Sequence, residues 1–266
     1  MTISRAEKTS IDDPMATMAL TAARRLLERT GAPDEALSAG YEGEIPLARG
    51  LGASAVARVG GLIGANRLAG DPLDRDSLLE IATELEGHAD NAAPAIFGGL
   101  QVSVVQQTTP GATKTVLHTA APLPAGLYAV LLVPEIRIAT KDARRVLPKS
   151  LSREDAVFNI GRAALLVAAM ARGRFDLLDT ATQDKLHQGP RSKLLPAMNP
   201  IFEAARAAGA HAAYLSGSGS TLCALATANM EGIADAMLEA ARARDVAGRT
   251  IITRPSERGA EVVAEA

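Results

Sequence analysis

The sequence predicts an α+β protein that folds into two lobes. Its 266 residues are enough for two compact lobes, since a single core usually stops growing at about 250 to 300 residues. Strand-like and helical segments are mixed in the first part, a run of helices follows, and short strands alternate with helices towards the end. The change from mixed segments to a helical run indicates that a second lobe begins there.

Apolar spacing and the positions of glycine and proline predict the elements of the first lobe. Gly31 and Pro33 end the first helix. A glycine loop begins the second helix, which is small and apolar on nearly all sides and is therefore expected to be buried. The predicted elements are helices over residues 12–30, 53–68 and 74–86, a short helix before Gly98, and strands before Pro46 and over residues 100–105.

In the second lobe, the continuous apolar run 127–133 ends at Pro134 and predicts a buried strand. Ser152 precedes a helical stretch, as a helix N-cap does. The tail after Pro255 is charged and small and is expected to fray. The other predicted elements are helices over 140–147, 152–172, 175–187, 196–208 and 230–243, and strands over 211–215, 221–226 and 249–253.

Charge and aromatic content exclude nucleic acid as a general partner. Lys and Arg number 28 and Asp and Glu 30, so the net charge of −2 provides no basic field for nucleic acid or for an anionic membrane. Aromatic residues make up only 3%, which does not suggest a stacking platform for single strands. Any anion must therefore be bound locally.

Cysteine use and apolar runs favour a cytoplasmic protein. The single cysteine, Cys223, cannot form an internal disulfide, which is typical of a reducing compartment. The polar N-terminus lacks the apolar region of a secretory signal. The longest apolar run, residues 163–171, lies between Arg162 and Arg172 and is much shorter than the roughly 20 residues that span a bilayer.

The first segment that suggests chemistry is the glycine loop at residues 46–55. Gly50 and Gly52 allow the backbone to approach phosphates closely, and the following helix adds the positive end of its dipole. Ser54 could coordinate Mg²⁺ through its hydroxyl group. The alternative is a strand-to-helix turn in which Ser54 is a helix cap.

The second segment is the polar stretch at residues 86–91. Glu86 offers the hard oxygen that Mg²⁺ prefers, and His88, Asp90 and Asn91 could orient a small polar substrate. The alternative is a solvated loop between two helices.

The third segment is the glycine- and hydroxyl-rich stretch at residues 216–221. Its glycines and hydroxyl groups could form a second anion-binding nest. Taken alone, the segment fits a flexible hairpin connection better.

In this order, the three segments resemble motifs of the GHMP small-molecule kinases and, within that superfamily, of the homoserine kinases. The most distinctive stretches are residues 86–95, 152–169 and 184–191, and the resemblance extends from about residue 12 to about residue 253. It implies the two-lobed GHMP fold. A ribosomal-protein-S5-like N-terminal lobe would span residues 1–122, and a C-terminal α/β sandwich lobe residues 123–266.

The resemblance also implies a reaction, in which ATP and Mg²⁺ phosphorylate the hydroxyl group of L-homoserine in threonine biosynthesis. A bidentate guanidinium suits the carboxylate of this substrate. The matching nucleotide-binding residues are Pro46, Leu47, Ala48, Arg49, Gly50, Leu51, Gly52, Ala53 and Ser54. The matching Mg²⁺ ligands are Ser54 and Glu86. The matching substrate-binding residues are His88, Arg144, His187, Arg191, Gly217, Ser218 and Gly219, beside Asp90 and Asn91 as the catalytic pair.

Asp90 is expected to act first as a positioning residue, because homoserine kinases lack a clear dedicated base. The sequence departs from the family pattern at Ala53 and Ser220, where serine and proline are common, and residues 1–11 contain no counterpart of the first motif. Two alternatives therefore stay open, a GHMP kinase for another small alcohol and an impaired, shortened homologue with an unpaired sheet edge. The expected partner is a small molecule, with no nucleic acid and no membrane, and a homodimer is left open.

Overall fold

The computed structural model describes residues 1–5, 13–33, 36–107 and 115–263. It confirms the α+β class and divides into two compact units. The first unit contains Met1–Ile45, Gly52–Ala120 and Ser256–Ala266, and the second contains Pro46–Leu51 and Ala121–Pro255. The lobes expected at residues 1–122 and 123–266 stay a prediction.

The first unit packs helices beside two short strand pairs. Its elements are β1 (Thr2–Arg5), α1 (Pro14–Thr30), β2 (Leu37–Gly40), α2 (Ala53–Leu68), α3 (Arg75–Glu86), α4 (Ala92–Phe97), β3 (Leu100–Gln106) and β4 (Thr115–Ala121). Strand β1 pairs antiparallel with β2, with Thr2 opposite Gly40, and β3 pairs with β4. The sequence did not predict β1 or β4, because neither has the continuous apolar run or the strict alternation that marks a strand.

Eight of the sixteen residues of helix α2 are buried, fewer than its composition predicted, and the helix crosses α1 very closely. A Cβ atom at Gly61 would lie 2.1 Å from the carbonyl oxygen of Ala19, so only glycine fits there. The two helices and α3 enclose a core that includes Leu26, Leu62 and Leu79, all fully buried. This packing fixes the position at which α2 begins.

The second unit is built on a four-stranded antiparallel sheet in the order β6-β7-β5-β8. Its strands are β5 (Tyr128–Pro134), β6 (Ala212–Leu215), β7 (Leu222–Ala226) and β8 (Gly248–Thr253). Its helices are α5 (Thr140–Arg145), α6 (Arg153–Arg172), α7 (Leu178–Ala181), α8 (Gln188–Ser192), α9 (Met198–Ala207) and α10 (Met230–Arg242). Helices α9 and α10 pack on the sheet, where Ile201, Leu222 and Met237 are fully buried.

Helix α6 begins as predicted, since the Ser152 hydroxyl oxygen accepts the amide of Asp155 at 3.0 Å. The helix predicted over residues 175–187 is wrong. A 3₁₀ turn at Phe175–Leu177 and the short α7 occupy its first part, and no helix follows until Gln188. The Asp184 side chain accepts backbone amides in the intervening turn, and such local bonds compete with helix formation.

The tail after Pro255 does not fray as expected, because backbone hydrogen bonds fasten its described part to the first unit. The Gly99 amide donates to the Ser256 carbonyl at 2.8 Å, and the Ala260 amide donates to the Ala95 carbonyl at 2.9 Å. The Arg75 guanidinium donates to the Ala260 carbonyl at 3.0 Å.

In the part of the chain that the structure describes, no helix has the length and apolar character needed to cross a membrane.

Candidate functional site

In the second unit, the glycine loop at Pro46–Leu51 lies directly against the glycine-rich loop at residues 216–221. A Cβ atom at Gly50, whose φ is +74°, would lie 2.1 Å from the Ser216 carbonyl oxygen. The Ser216 hydroxyl group donates to the Gly50 carbonyl at 2.7 Å, and the Thr221 amide donates to the Arg49 carbonyl at 3.0 Å. The structure thus brings together two segments that the sequence singled out separately.

The chain that follows β5 joins this contact. The Arg49 guanidinium donates to the Glu135 carbonyl at 2.8 Å, and the Ser220 hydroxyl group donates to the Ile136 carbonyl. Burial and the nearby charge of Arg137 lower the pKa of Arg49, although Glu135 opposes them. One guanidinium nitrogen of Arg49 is therefore used in a contact with the backbone of the second unit. The other predicted loop residues, Pro46, Leu47, Ala48 and Leu51, form the surrounding turn.

The 216–221 loop is a tight hairpin connection between the antiparallel strands β6 and β7. The Gly219 amide donates to the Ser216 carbonyl and the Ser216 amide to the Thr221 carbonyl, both at 2.9 Å. Gly217 has a φ of +52° and Gly219 a φ of +87°, values that favour glycine. Ser218 lies half-buried between them.

In the first unit, the residues at the start of α2 face the end of α3. Gly52 is the N-cap of α2, with a φ of +70°, and no side chain caps the helix there. Ala53 is buried, and the Ser54 hydroxyl group donates to Glu86 Oε2 at 3.0 Å. Arg58, one turn further along α2, forms an ion pair with Glu86 Oε1. The Glu86 side chain is only 7% exposed.

The Ser54 hydroxyl oxygen and the Glu86 carboxylate oxygen are of the types that Mg²⁺ binds. Among the described residues, no three His, Cys, Asp or Glu side chains form a metal cluster. Mg²⁺ does not need such a cluster, because it typically takes one or two carboxylates and completes its shell with water and substrate phosphates. Ser54 and Glu86 already lie within hydrogen-bond distance of each other, so a hydroxyl and a carboxylate oxygen converge at one point.

The polar segment after α3 folds back on itself. Asp90 is 75% exposed, and its Oδ1 atom lies 2.7 Å from His88 Nδ1. The same oxygen accepts the Asn91 amide at 2.9 Å. The Asn91 side-chain oxygen would lie 3.2 Å from a Cβ at Gly52, so this amide is next to the start of α2. His88, Asp90 and Asn91 thus form one group within the first unit.

A cationic group lies beside the 216–221 loop in the second unit. Arg191 on α8 donates to the Gly217 carbonyl at 3.0 Å and to the Ala143 carbonyl at 3.2 Å. Arg191 Nη1 lies 3.1 Å from His187 Nδ1. Burial is the main cause that lowers the pKa of Arg191, and the charge of the exposed Arg144 lowers it further, against the attraction of Asp184. The structure therefore groups Arg144, His187, Arg191 and Gly217.

The surroundings of His187 favour its neutral imidazole form. Burial is the main cause that lowers its pKa below 6.5, and Arg191 adds to it, while Asp184 acts in the opposite direction. A neutral imidazole can accept a hydrogen bond from Arg191 Nη1 at Nδ1, which a doubly protonated ring cannot.

Four residues that support the predicted site residues had no role in the sequence prediction, namely Arg58, Asn159, Asp184 and Gln188. The sequence could have located Arg58 from helical spacing, because this residue follows Ser54 by four positions on α2 and lies on the same helix face. Asn159, Asp184 and Gln188 lie inside the distinctive stretches, but their contacts with one another join separate elements. Only the fold shows such contacts.

Two family models match the chain, one described as the GHMP kinases N terminal domain at residues 17–99 and one as GHMP kinases C terminal at residues 166–243. The homoserine kinase of Moorella thermoacetica is 41% identical over 246 residues, which are 92% of this chain and 81% of that protein. The homoserine kinase of Carboxydothermus hydrogenoformans is 39% identical, over 89% of this chain and 75% of its own.

A solved structure agrees with these sequence matches. The crystal structure of homoserine kinase from Cytophaga hutchinsonii superposes with a TM-score of 0.81 at 30% identity. The superposition covers 94% of this chain and 79% of the other. The similarity therefore includes both units.

Proposed function

The chain belongs to the GHMP kinase family, and we propose that it is a homoserine kinase, which transfers the γ-phosphoryl group of ATP to the hydroxyl group of L-homoserine. The N- and C-terminal family matches and the homoserine kinase relatives support an ATP-dependent kinase with an alcohol acceptor. Threonine biosynthesis is the pathway to which this reaction belongs.

The cationic group in the second unit is the observation that supports an amino-acid substrate. Arg191 is half-buried and fixed by two carbonyl oxygens, and Arg144 supplies a second positive charge nearby. A guanidinium held in this way binds a carboxylate with defined geometry at little cost in side-chain entropy. Neutral His187 provides a polar neighbour that does not repel an ammonium group.

The glycine loop would bind the ATP phosphates. Its segment Pro46–Leu51 is fixed by the 216–221 loop in the second unit, and the chain then continues into the first turn of α2. The first amides of a helix have no partner within the helix and carry the positive end of its dipole. Gly52, Ala53 and Ser54 therefore suit a phosphate group.

Ser54 and Glu86 would hold Mg²⁺ through one hydroxyl and one carboxylate oxygen. The chemistry that Mg²⁺ supplies when bound is neutralisation of charge on the phosphate oxygens. The residues themselves contribute position, since Arg58 fixes one oxygen of Glu86 and leaves the other beside Ser54.

The reaction itself depends mainly on orientation. Phosphoryl transfer passes through a loose transition state, so positioning and charge stabilisation provide most of the catalysis. The Asp90 carboxylate accepts the Asn91 amide and lies 2.7 Å from His88 Nδ1, and we assign Asp90 a positioning role rather than that of a general base. The substrate hydroxyl attacks the γ-phosphorus, the bond from phosphorus to the β,γ-bridging oxygen breaks so that ADP leaves, and the hydroxyl proton passes to solvent.

A coupled assay of ADP release tests the proposal. The purified protein, ATP and MgCl₂ should release ADP when L-homoserine is added, and mass spectrometry should detect O-phospho-L-homoserine. Release only with another small alcohol would indicate a different GHMP kinase. Nucleotide binding without turnover of any alcohol would indicate an impaired homologue. Sedimentation of the same sample tests for a homodimer.

A further inference from the structure

We propose that Asp184 is a positioning residue for the substrate carboxylate, which acts by holding His187 and Arg191 in place. This inference rests on the proposed function and extends it to a buried acid that has no role in the reaction described above. All the residues concerned lie in the second unit.

Asp184 is a buried carboxylate with three fixed donors. Its side chain is 6% exposed, and it lies in the turn between α7 and α8. Oδ2 accepts the amides of His187 and Gln188, both at 2.6 Å. Oδ1 accepts the side-chain amide of Asn159 on α6 at 2.7 Å. The carboxylate therefore connects α6 to the start of α8.

These bonds keep Asp184 ionised despite its burial. Burial alone would raise the pKa of the carboxyl group, but the amides of Gln188 and His187 and the Asn159 side chain lower it below its ordinary value. A carboxylate that accepts several hydrogen bonds in its charged form is stabilised as an anion. The negative charge of Asp184 therefore lies next to His187 and Arg191.

The start of α8, which Asp184 holds in place, determines the position of Arg191 on the same helix. The Gln188 side chain accepts the Leu215 amide at 2.9 Å and donates to the Thr182 carbonyl at 3.0 Å, which fastens α8 to the end of β6. Arg191 follows Asp184 by seven residues and contacts Gly217 in the glycine-rich loop. Asp184 thus determines where α8 begins and where its arginine points.

The charge of Asp184 also partly offsets the repulsion between Arg191 and Arg144. Burial is the main cause that lowers the pKa of Arg191, Arg144 adds to it by repulsion, and Asp184 opposes both. Without the carboxylate, the repulsion between the two arginines would be uncompensated and would weaken the hold of the Ala143 and Gly217 carbonyls on Arg191. The substrate carboxylate would then meet a mobile cation instead of a preorganised one.

The variant Asp184→Asn tests the proposal, because it keeps the size of the side chain and removes its charge. We expect the KM for L-homoserine to rise by about tenfold or more, since displacing a positioning group by ~1 Å can cost about a hundredfold in rate. The KM for ATP should stay within about twofold. The inhibition constant of L-2-aminobutyrate, which keeps the carboxylate, should rise with the KM for L-homoserine, whereas that of 3-amino-1-propanol, which lacks it, should not.

Asp179→Asn is the matched control. Asp179 is on α7, is half exposed, and pairs with Arg206 at 3.5 Å instead of contacting α8. Its substitution should leave both KM values unchanged. If Asp184→Asn does not fold, as judged by its thermal unfolding, the milder Asn159→Ala removes one of the three donors and should show a smaller shift in the same direction.

Two results would overturn the inference: an unchanged KM for L-homoserine, or equal increases in the KM values for L-homoserine and ATP. A wild-type protein that does not phosphorylate L-homoserine would refute the proposed function instead. Calorimetric titration of L-2-aminobutyrate into the wild-type and Asp184→Asn proteins would still decide the role of Asp184, because it measures carboxylate binding without turnover.

Discussion

Glu86 is an acidic side chain that the first unit buries almost completely while leaving one oxygen beside a hydroxyl group. Arg58 engages Oε1 and Ser54 donates to Oε2. The helical spacing of Ser54 and Arg58 places both donors on one face of α2, opposite the end of α3. The carboxylate is therefore oriented by the fold before any ligand is bound.

This arrangement predicts the effect of Glu86→Gln. The amide keeps the shape but cannot offer a negatively charged oxygen, so Mg²⁺-dependent turnover should fall by about a hundredfold or more. The fold should persist, because Arg58 is partly exposed and can be hydrated. The measurements are ADP release against MgCl₂ concentration and thermal unfolding.

Glu84→Gln is the control for this substitution, since Glu84 is on the same helix but pairs with Arg29 at the surface, at 2.8 Å. It should retain normal turnover. Near-normal activity of Glu86→Gln would remove Glu86 from the metal site.

The sequence predicted the residues with recognisable chemistry, such as Ser54, Glu86 and Arg191, through motifs and the family resemblance. It could not predict the partners that hold them, because Arg58 and Asp184 look like ordinary charged residues until the fold shows their burial. Their contacts reach across 28 and 25 residues, to Glu86 and Asn159 respectively. Local patterns contain no information at that range.

At the scale of elements, helix α6 shows how strongly local signals determine boundaries. Ser152 caps its first turn, Glu154 and Asp155 lie at its positive end, and Gly173 ends it with a φ of +62°. Both ends agree with the sequence prediction. This helix also supplies Asn159, which contacts Asp184.

Removing the cap should destabilise the second unit measurably. Ser152→Ala loses the bond to the Asp155 amide and should lower the free energy of unfolding by about 1 kcal/mol. Ser152→Asp should restore most of this loss, since aspartate is an equally good cap. Denaturant unfolding followed by circular dichroism gives both values, and equal stability of the alanine and wild-type proteins would contradict the prediction.

The stretch at residues 175–187 shows the opposite case. Its apolar spacing predicted one helix, but Asp184 turns the chain and α8 begins at Gln188. The side chain could make this turn only because Asn159 and the α8 amides surround it in the folded protein. Tertiary contacts here overrode local preference.

At the scale of the whole molecule, the order of the chain differs from the order of its units. The first unit takes residues from both ends of the sequence, and the second takes Pro46–Leu51 from within the first unit's span. Composition and apolar spacing predict elements one after another along the chain. They could not show that each unit is built from separate segments of the sequence. The α+β class was confirmed because it depends on the types of elements rather than on their distribution.

Truncation after Pro255 tests the contribution of the tail to the first unit. The change removes the bonds at Gly99, Ala95 and Arg75 and uncovers the backbone of Ile96 near Gly259. At about 1 kcal/mol for each hydrogen bond, the midpoint of thermal unfolding should fall by roughly 5 to 10 °C.

Truncation after Val262 is the control, because the next residue, Val263, is 94% exposed and its loss should have little effect. Hydrogen exchange locates the change, since the amide of Gly99 should lose protection only in the shorter protein. An unchanged midpoint would show that the tail contacts contribute nothing to stability.

The bond between the Ser216 hydroxyl group and the Gly50 carbonyl joins residues that are 166 positions apart. A ribosome that adds about 5 to 20 residues per second needs roughly ten to thirty seconds to pass from one to the other. During that interval the Pro46–Leu51 loop has been synthesised but lacks its contacts with the 216–221 loop. The ATP binding that we propose for this loop should therefore begin only when most of the chain has left the ribosome, and a stalled or prematurely terminated chain should bind ATP more weakly than the full chain.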